Sequence, residues 1–268
     1  MWDVRRPMRP AVRLGAIFII AGAALWAGYT VWDEFPRSDR LASVDTLVEQ
    51  FDRVVYWRVT RNSPMKRIAK WARPVRIRLS GEKAEHWRPI VDKHVATLTQ
   101  LTGVRYLIDS APPDSDNLFI YFHENGSADK FVYRHFDKPG TYADSARKSG
   151  CMFMFSLAWP FSRITKGLVT ISLHKLYESS VPGCILTGLA TTLGIDNESA
   201  LIRPSIFTGR TAESKSLSIN DRVIIRALYD PRLRLGMPRG EALKVARGVI
   251  AELHAKVRAG EPITLAAD

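Results

Sequence analysis

At 268 residues, with 46% hydrophobic and 25% charged side chains, the chain can bury a full core, which excludes a disordered tail or a fibrous protein. Thirty-nine Lys and Arg against 27 Asp and Glu give a net charge of +12 and point to anionic surroundings such as phospholipid, acidic polysaccharide or nucleic acid. Two cysteines are too few for a disulfide-stapled miniprotein or a four-thiolate zinc site, and enough for one bridge in an oxidising compartment.

Residues 1–13 carry Arg5, Arg6, Arg9 and Arg13 and read as a cytoplasmic N-terminus. From Leu14 to Trp32 no residue is formally charged, and as a helix this stretch spans roughly 28 Å, close to the hydrocarbon thickness of a bilayer. The positive flank is N-terminal, so the positive-inside rule translocates everything after Trp32. Trp26, Tyr29 and Trp32 sit at the outer end, where amphipathic rings prefer the headgroup level. The length favours an uncleaved signal anchor; a cleaved signal peptide, cut among the small residues around Ala27, is the alternative. Either way the rest of the chain is expected outside the cytoplasm; with the anchor uncleaved, it is expected in the periplasm of a bacterium, tied to the inner membrane. A disulfide between Cys151 and Cys184 is then chemically allowed, and by closing a loop of about 34 residues it would contribute 3–4 kcal/mol.

Residues 33–72 read as a connecting segment. Ser38 and Asp39 precede Leu41, Val44, Leu47, Val48, Phe51, Val54 and Val55, a helical spacing behind a cap. From Arg53 to Arg78 there are nine Lys or Arg and no acid, interleaved with Tyr56, Trp57 and Trp71. Arg58, Arg61, Lys66, Arg67, Lys70, Arg73, Arg76 and Arg78 are therefore candidates for an anion-binding surface, weighed against a plain solvated face. Export turns that surface toward lipid headgroups or anionic polymer; no nucleic-acid partner is expected.

The folded domain is expected over residues 73–258, with 259–268 as a tail. Val75, Ile77 and Leu79 alternate with arginines as in a half-buried strand. Trp87, Ile90, Val91, His94, Val95, Leu98 and Leu101 mark an amphipathic helix stopped by Gly103. Val104–Ile108 and Leu118–Phe122 read as strands, and 123–150, rich in Gly and polar residues, as a long loop. Two more strands begin at Cys151 and Leu168. A helix follows from about Cys184 to Leu193, closed by Gly194. Ser218 with Asp221 resembles a capping box opening a helix to about Tyr229, and the last helix starts at Pro238. The order predicts an α+β domain, a mixed sheet with a long helix on one side.

None of the six histidines pairs at the i, i+4 spacing with which one helix holds zinc, and no nucleophile elbow, phosphate loop or dinucleotide fingerprint is present. His123, Glu124 and His135 are the loop residues that could meet a metal in space, and Asp196 is a further donor for such a set.

Cys184 to Asn197 (CILTGLATTLGIDN), then PSIF, then Ser216 to Met237 (SLSINDRVIIRALYDPRLRLGM), resemble the exported bacterial family called domain of unknown function twenty-nine twenty-seven. The resemblance covers roughly Val75 to Leu253. It places Cys151 and Cys184 where that family has its two cysteines, which supports the bridge. The region is also similar in layout to the matrixin-like zincin metallopeptidases. With Gly194 on the motif glycine of H-E-x-x-H-x-x-G-x-x-H, Thr187, Thr191 and Asn197 fall at the three metal-ligand positions and Gly188 at the general base. Leu217, Ser218, Asp221, Leu228 and Tyr229 match the following helix, and Ile206 falls near the methionine turn. Hydroxyl and carboxamide groups are poor zinc ligands and glycine cannot deprotonate water, so the resemblance implies a pseudoenzyme: a zincin-like core with no metal, no cofactor and no catalytic residue.

The expectation is thus a membrane-anchored envelope module for binding or scaffolding. Two alternatives accompany it. One is a metal-dependent hydrolase built on His123, His135 or Asp196. The other is an accessory subunit of an inner-membrane complex, packed through Gly15, Gly22, Ala23 and Gly28.

Overall fold

The computed structural model describes residues 39–56, 67–109, 117–124, 127–135, 149–158, 162–209 and 214–264, all within one compact unit. The expected anchor, Leu14 to Trp32, lies outside the described residues; among those described, no helix is long and apolar enough to cross a membrane.

Among the described residues, six α-helices and six strands run in the order α1 (Val44–Tyr56), β1 (Lys70–Trp71), β2 (Val75–Gly81), α2 (Ala84–Thr102), β3 (Tyr106–Ile108), β4 (Leu118–His123), α3 (Ala128–His135), β5 (Cys151–Ala158), β6 (Arg163–Ser172), α4 (Val181–Thr191), α5 (Ile219–Leu228) and α6 (Arg239–Arg258), with a 3-10 turn (Glu178–Ser180) leading into α4. The fold is α+β with a mixed, mostly parallel sheet. β3, β2, β4 and β6 are parallel neighbours, and β5 runs antiparallel along the outer edge of β6. β1 pairs with Arg163 and Ile164 on the same edge of β6 that takes β4 from Gly167 onward.

Burial follows the period of two. In β2, Val75, Ile77 and Leu79 are buried and Arg76 and Arg78 half-buried, as alternation predicts. β4 is different: Leu118, Ile120 and Phe122 face the main core while Phe119 joins Met152, Met154, Leu168, Ala128 and Val132 on the opposite face. A strand covered on both sides loses its alternation, which is why LFIYF reads as one apolar run. The cover on the second face is α3, whose Ala128, Phe131 and Val132 sit at i, i+3 and i+4. This helix falls inside the expected loop 123–150, a correction: its two apolar steps are too short a pattern to outweigh the surrounding glycines and polar residues.

α2 and α4 cover the first face, and α1, α5 and α6 pack on one another beside them. Within the expected connecting segment 33–72, the described residues 39–56 and 67–72 are part of the fold. Leu47, Phe51, Val54, Val55 and Tyr56 are fully buried, Arg239 of α6 pairs with Asp52 at 2.5 Å, and Lys70–Trp71 enter the sheet. The α1 start also moves, because Ser43 Oγ accepts the Thr46 N–H at 3.3 Å while Asp39 accepts the N–H of Ile219 at 2.9 Å. Cys151 and Cys184 form a disulfide, Cα atoms 6.0 Å apart, joining the start of β5 to the first turns of α4.

Candidate functional site

The residues carrying the family resemblance are committed to architecture. Asp221 closes the capping box with Ser218, the backbone N–H of each bonding the other's side chain at 3.0–3.1 Å. Its carboxylate also accepts from Ser205 Oγ at 2.6 Å and from the Ile206 N–H at 3.2 Å, so the PSIF segment is tied to α5. Burial raises the Asp221 pKa, and these donors oppose the rise. Tyr229 donates to the Leu193 carbonyl at 3.0 Å, and the Trp71 indole donates to that of Thr192 at 2.8 Å; together they hold the end of α4. Gly194 turns the chain at φ +103, where a Cβ would lie 2.3 Å from the Ala69 carbonyl oxygen, so only glycine fits.

The four positions aligned with a metal site lie in or against this core. Thr187 is buried with its hydroxyl unpartnered, Thr191 half-buried, and Asn197 buried with Nδ2 directed 3.4 Å from the Val54 carbonyl. Gly188 faces the sheet, and a Cβ there would stand 2.7–2.8 Å from Val169 and Phe153 side chains. A glutamate at that position would have no room. Among the described residues, no group of three His, Cys, Asp or Glu is placed to hold a metal ion. His135 is the last residue of α3, and Asp196 is half-buried beyond α4.

The basic candidates divide. Arg58, Arg61 and Lys66 lie outside the described residues. Lys70 is buried, a correction: its ammonium donates to the carbonyls of Leu233 and, at 3.4 Å, Asp230, with the Tyr229 ring 5.4 Å away. Desolvation pushes its pKa down to about 8 against the pull of Asp230, so this lysine is an internal clamp on the turn after α5. Arg67 donates to the Gly236 carbonyl at 2.9 Å, and Arg78 stands 3.8 Å from Asp109. Arg73 is exposed and Arg76 half-buried. Of the described five, Arg67 and Lys70 are thus engaged with backbone carbonyls.

The chemistry gathers instead at the carboxyl ends of the parallel strands, the edge where open α/β sheets bind ligands. Past Gly81 the chain enters α2, past His123 it reaches Glu124, and past Ser172 it turns toward α4. A cavity of about 480 Å³ opens there, lined by Lys83, His86 and Trp87 from the α2 start and by Leu173, Leu176, Glu178 and Val181 from the approach to α4. Its volume lies within the usual range for small-molecule sites. Lys83 pairs with Glu124 at 3.0 Å, and His86 stands 3.7 Å from Glu178. The Trp87 indole N–H has no acceptor although the residue is only 6% exposed.

The same edge carries a histidine pair. His123 is 1% exposed with neither ring nitrogen bonded; its ring stacks on Tyr121 at 5.8 Å and meets His174 edge-on at 6.2 Å. His174 Nδ1 is 2.9 Å from Ser172 Oγ. Desolvation, with smaller pushes from His174 and Lys175, takes the His123 pKa down to about 4 and keeps the imidazole neutral. Sequence reasoning reached His123 as a loop residue and missed both its neighbour His174 and the grouping of Lys83, His86, Trp87 and Glu178 around one cavity. Their common feature, lying just past a strand end, is visible only once strand ends are known.

A family described as Protein of unknown function (DUF2927) matches residues 45–248 of the chain. No curated protein and no solved structure matches it.

Proposed function

The chain belongs to the DUF2927 family, and from that premise we propose that it is a membrane-anchored, extracytoplasmic binding module of the bacterial envelope, with its ligand site in the cavity at the carboxyl edge of the sheet. The observation that carries the reading is the division of labour in the domain. The helix that a zincin would use for catalysis is sealed into the core, whereas an open cavity lies at its N-terminal end. The zincin-like derivation is supported by the element order, β2, α2, β3 to β6, α4, then α5 behind a Ser218–Asp221 box, and by the turn at Gly194. Export is supported by the Cys151–Cys184 bridge, since disulfides persist in oxidising compartments, together with the uncharged stretch Leu14 to Trp32. Anchoring keeps the module at the membrane, where an envelope complex or anionic headgroups are its partners.

Native mass spectrometry of the full chain purified in detergent from bacterial membranes tests this. The expected result is a small molecule carried by the wild type and lost when Leu176→Trp fills the cavity with the fold intact. Identical bound masses in both forms, or none in either, would overturn the assignment of the cavity.

A further inference from the structure

The chain enters the domain at a fixed point. Asp39 accepts the Ile219 N–H at 2.9 Å, the Arg40 carbonyl accepts from Asn220 Nδ2 at 2.8 Å, and the Ala42 N–H donates to Asn220 Oδ1 at 2.9 Å, so the entry is tied to the first turn of α5. Six residues separate Asp39 from Trp32, the outer end of the uncharged stretch, a reach of about 25 Å at full extension. With Leu14 to Trp32 in a bilayer, the α5 start is the end of the domain that this tether keeps near the headgroups. The side chains at that end suit such a neighbour. Lys215 lies three residues before the Ser218 cap, and Ser205, whose hydroxyl bonds Asp221, brings the residues from Leu201 to Pro204 to the same place. Arg40, Arg203 and Lys215 are exposed, and among the described residues none of them has an ion-pair partner. On α1, on α6 and in the turn between α5 and α6 the pattern is different, because Arg53, Arg232, Arg234, Arg239 and Arg247 are each held by a carboxylate. Leu201, 38% exposed, adds an uncovered apolar side chain two residues from Arg203. Two acids share this end and are engaged locally: Asp39 with the Ile219 N–H, and Glu198 against Gly209, where a Cβ would stand 2.3 Å from its carboxylate.

We propose that the α5 start is the surface through which the domain sits on the bilayer, with Arg40, Arg203 and Lys215 on the phosphates of anionic phospholipid and Leu201 at the headgroup boundary. This rests on Leu14 to Trp32 being an uncleaved anchor, and deepens that reading by naming the face that meets the membrane. A tether alone leaves a domain free to turn. Unpaired cations around an exposed leucine, placed at the tethered end, give the bilayer a surface to hold and fix one orientation. Zwitterionic lipid carries the same phosphate without net charge, so preference for anionic lipid is the signature of this contact.

Amide hydrogen exchange of the full chain in lipid nanodiscs tests this, comparing discs of phosphatidylcholine with discs that also contain phosphatidylglycerol. Amides of residues 200–203 and 214–217 are expected to exchange about tenfold more slowly in the anionic discs, and high salt removes the difference. The combined variant Arg40→Gln, Arg203→Gln, Lys215→Gln also removes it, while its thermal midpoint stays that of the wild type because none of these side chains pairs within the fold. Equal exchange in both discs, a lipid dependence that survives in the combined variant, or slowing confined to another face such as that of Arg73 and Arg105 would overturn the surface. A full chain stripped from native membranes by alkaline carbonate would overturn the anchor itself, and the proposal with it. Retention in the membrane together with equal exchange overturns the surface alone and leaves the anchor standing.

Discussion

His123 is the residue whose surroundings cost the fold most visibly. A buried imidazole with two unbonded nitrogens is tolerated only while neutral, and its pKa is accordingly pushed from 6.5 to about 4. His94, buried in α2 beside the Pro182 carbonyl, is displaced the same way, also to about 4, by desolvation and Lys93. The unfolded chain binds these protons from pH 6.5 downward while the folded chain refuses them until about pH 4. Stability is therefore fully present above pH 6.5 and falls as pH drops through that window, by about 1.4 kcal/mol per pH unit for each imidazole. His123→Phe, which keeps the stacked ring, should remove one proton's worth of that slope in denaturant titrations at pH 7 and pH 5. An unchanged slope would show that the ring is solvated in the native state. In sequence, His123 is one of six scattered histidines, and nothing local distinguishes it. Lys70 was likewise illegible: in a run of nine cations it looks like surface, and only the returning turn at Asp230–Leu233 makes it internal.

α4 shows what an element can hide. Its Ile185, Leu186, Leu189 and Ala190 announce a buried helix, and the stop of α2 at Gly103, the capping box of α5 and the start of α6 were equally readable, because caps and apolar stripes are local. Which face of α4 meets the sheet is not local. Gly188 packs its bare Cα against Val169 and Phe153, so the aligned general-base position is a helix–sheet contact, and installing zincin ligands there meets the core first. Gly188→Glu should cost roughly 3 kcal/mol or more from overpacking and a buried carboxylate, seen as a lower urea midpoint. A Gly188→Glu protein as stable as wild type would mean that this face opens to solvent and would reopen the case for a cleft there. α1 and β1 were misassigned to a connector for the same reason: their partners, α6 and β6, lie far along the chain.

At the scale of the whole molecule, a parallel sheet closed by an antiparallel edge strand is covered by helices on both faces, which leaves the strand ends as the natural place for a site. The residues that identify the family, from Cys184 to Leu233, hold this frame together through a disulfide, a capping box, a glycine turn and a lysine clamp. The cavity draws on other residues, at the starts of α2 and α4. The family and the α+β class were thus legible in sequence, and the cavity was not, because its lining residues share a sheet edge and no motif. The central claim is that this frame serves binding and not metal chemistry. Elemental analysis of the full chain, purified from bacterial membranes without added metal or chelator, tests it most directly. The account predicts no metal in stoichiometric amount; one zinc or iron per chain, retained through gel filtration, would contradict it.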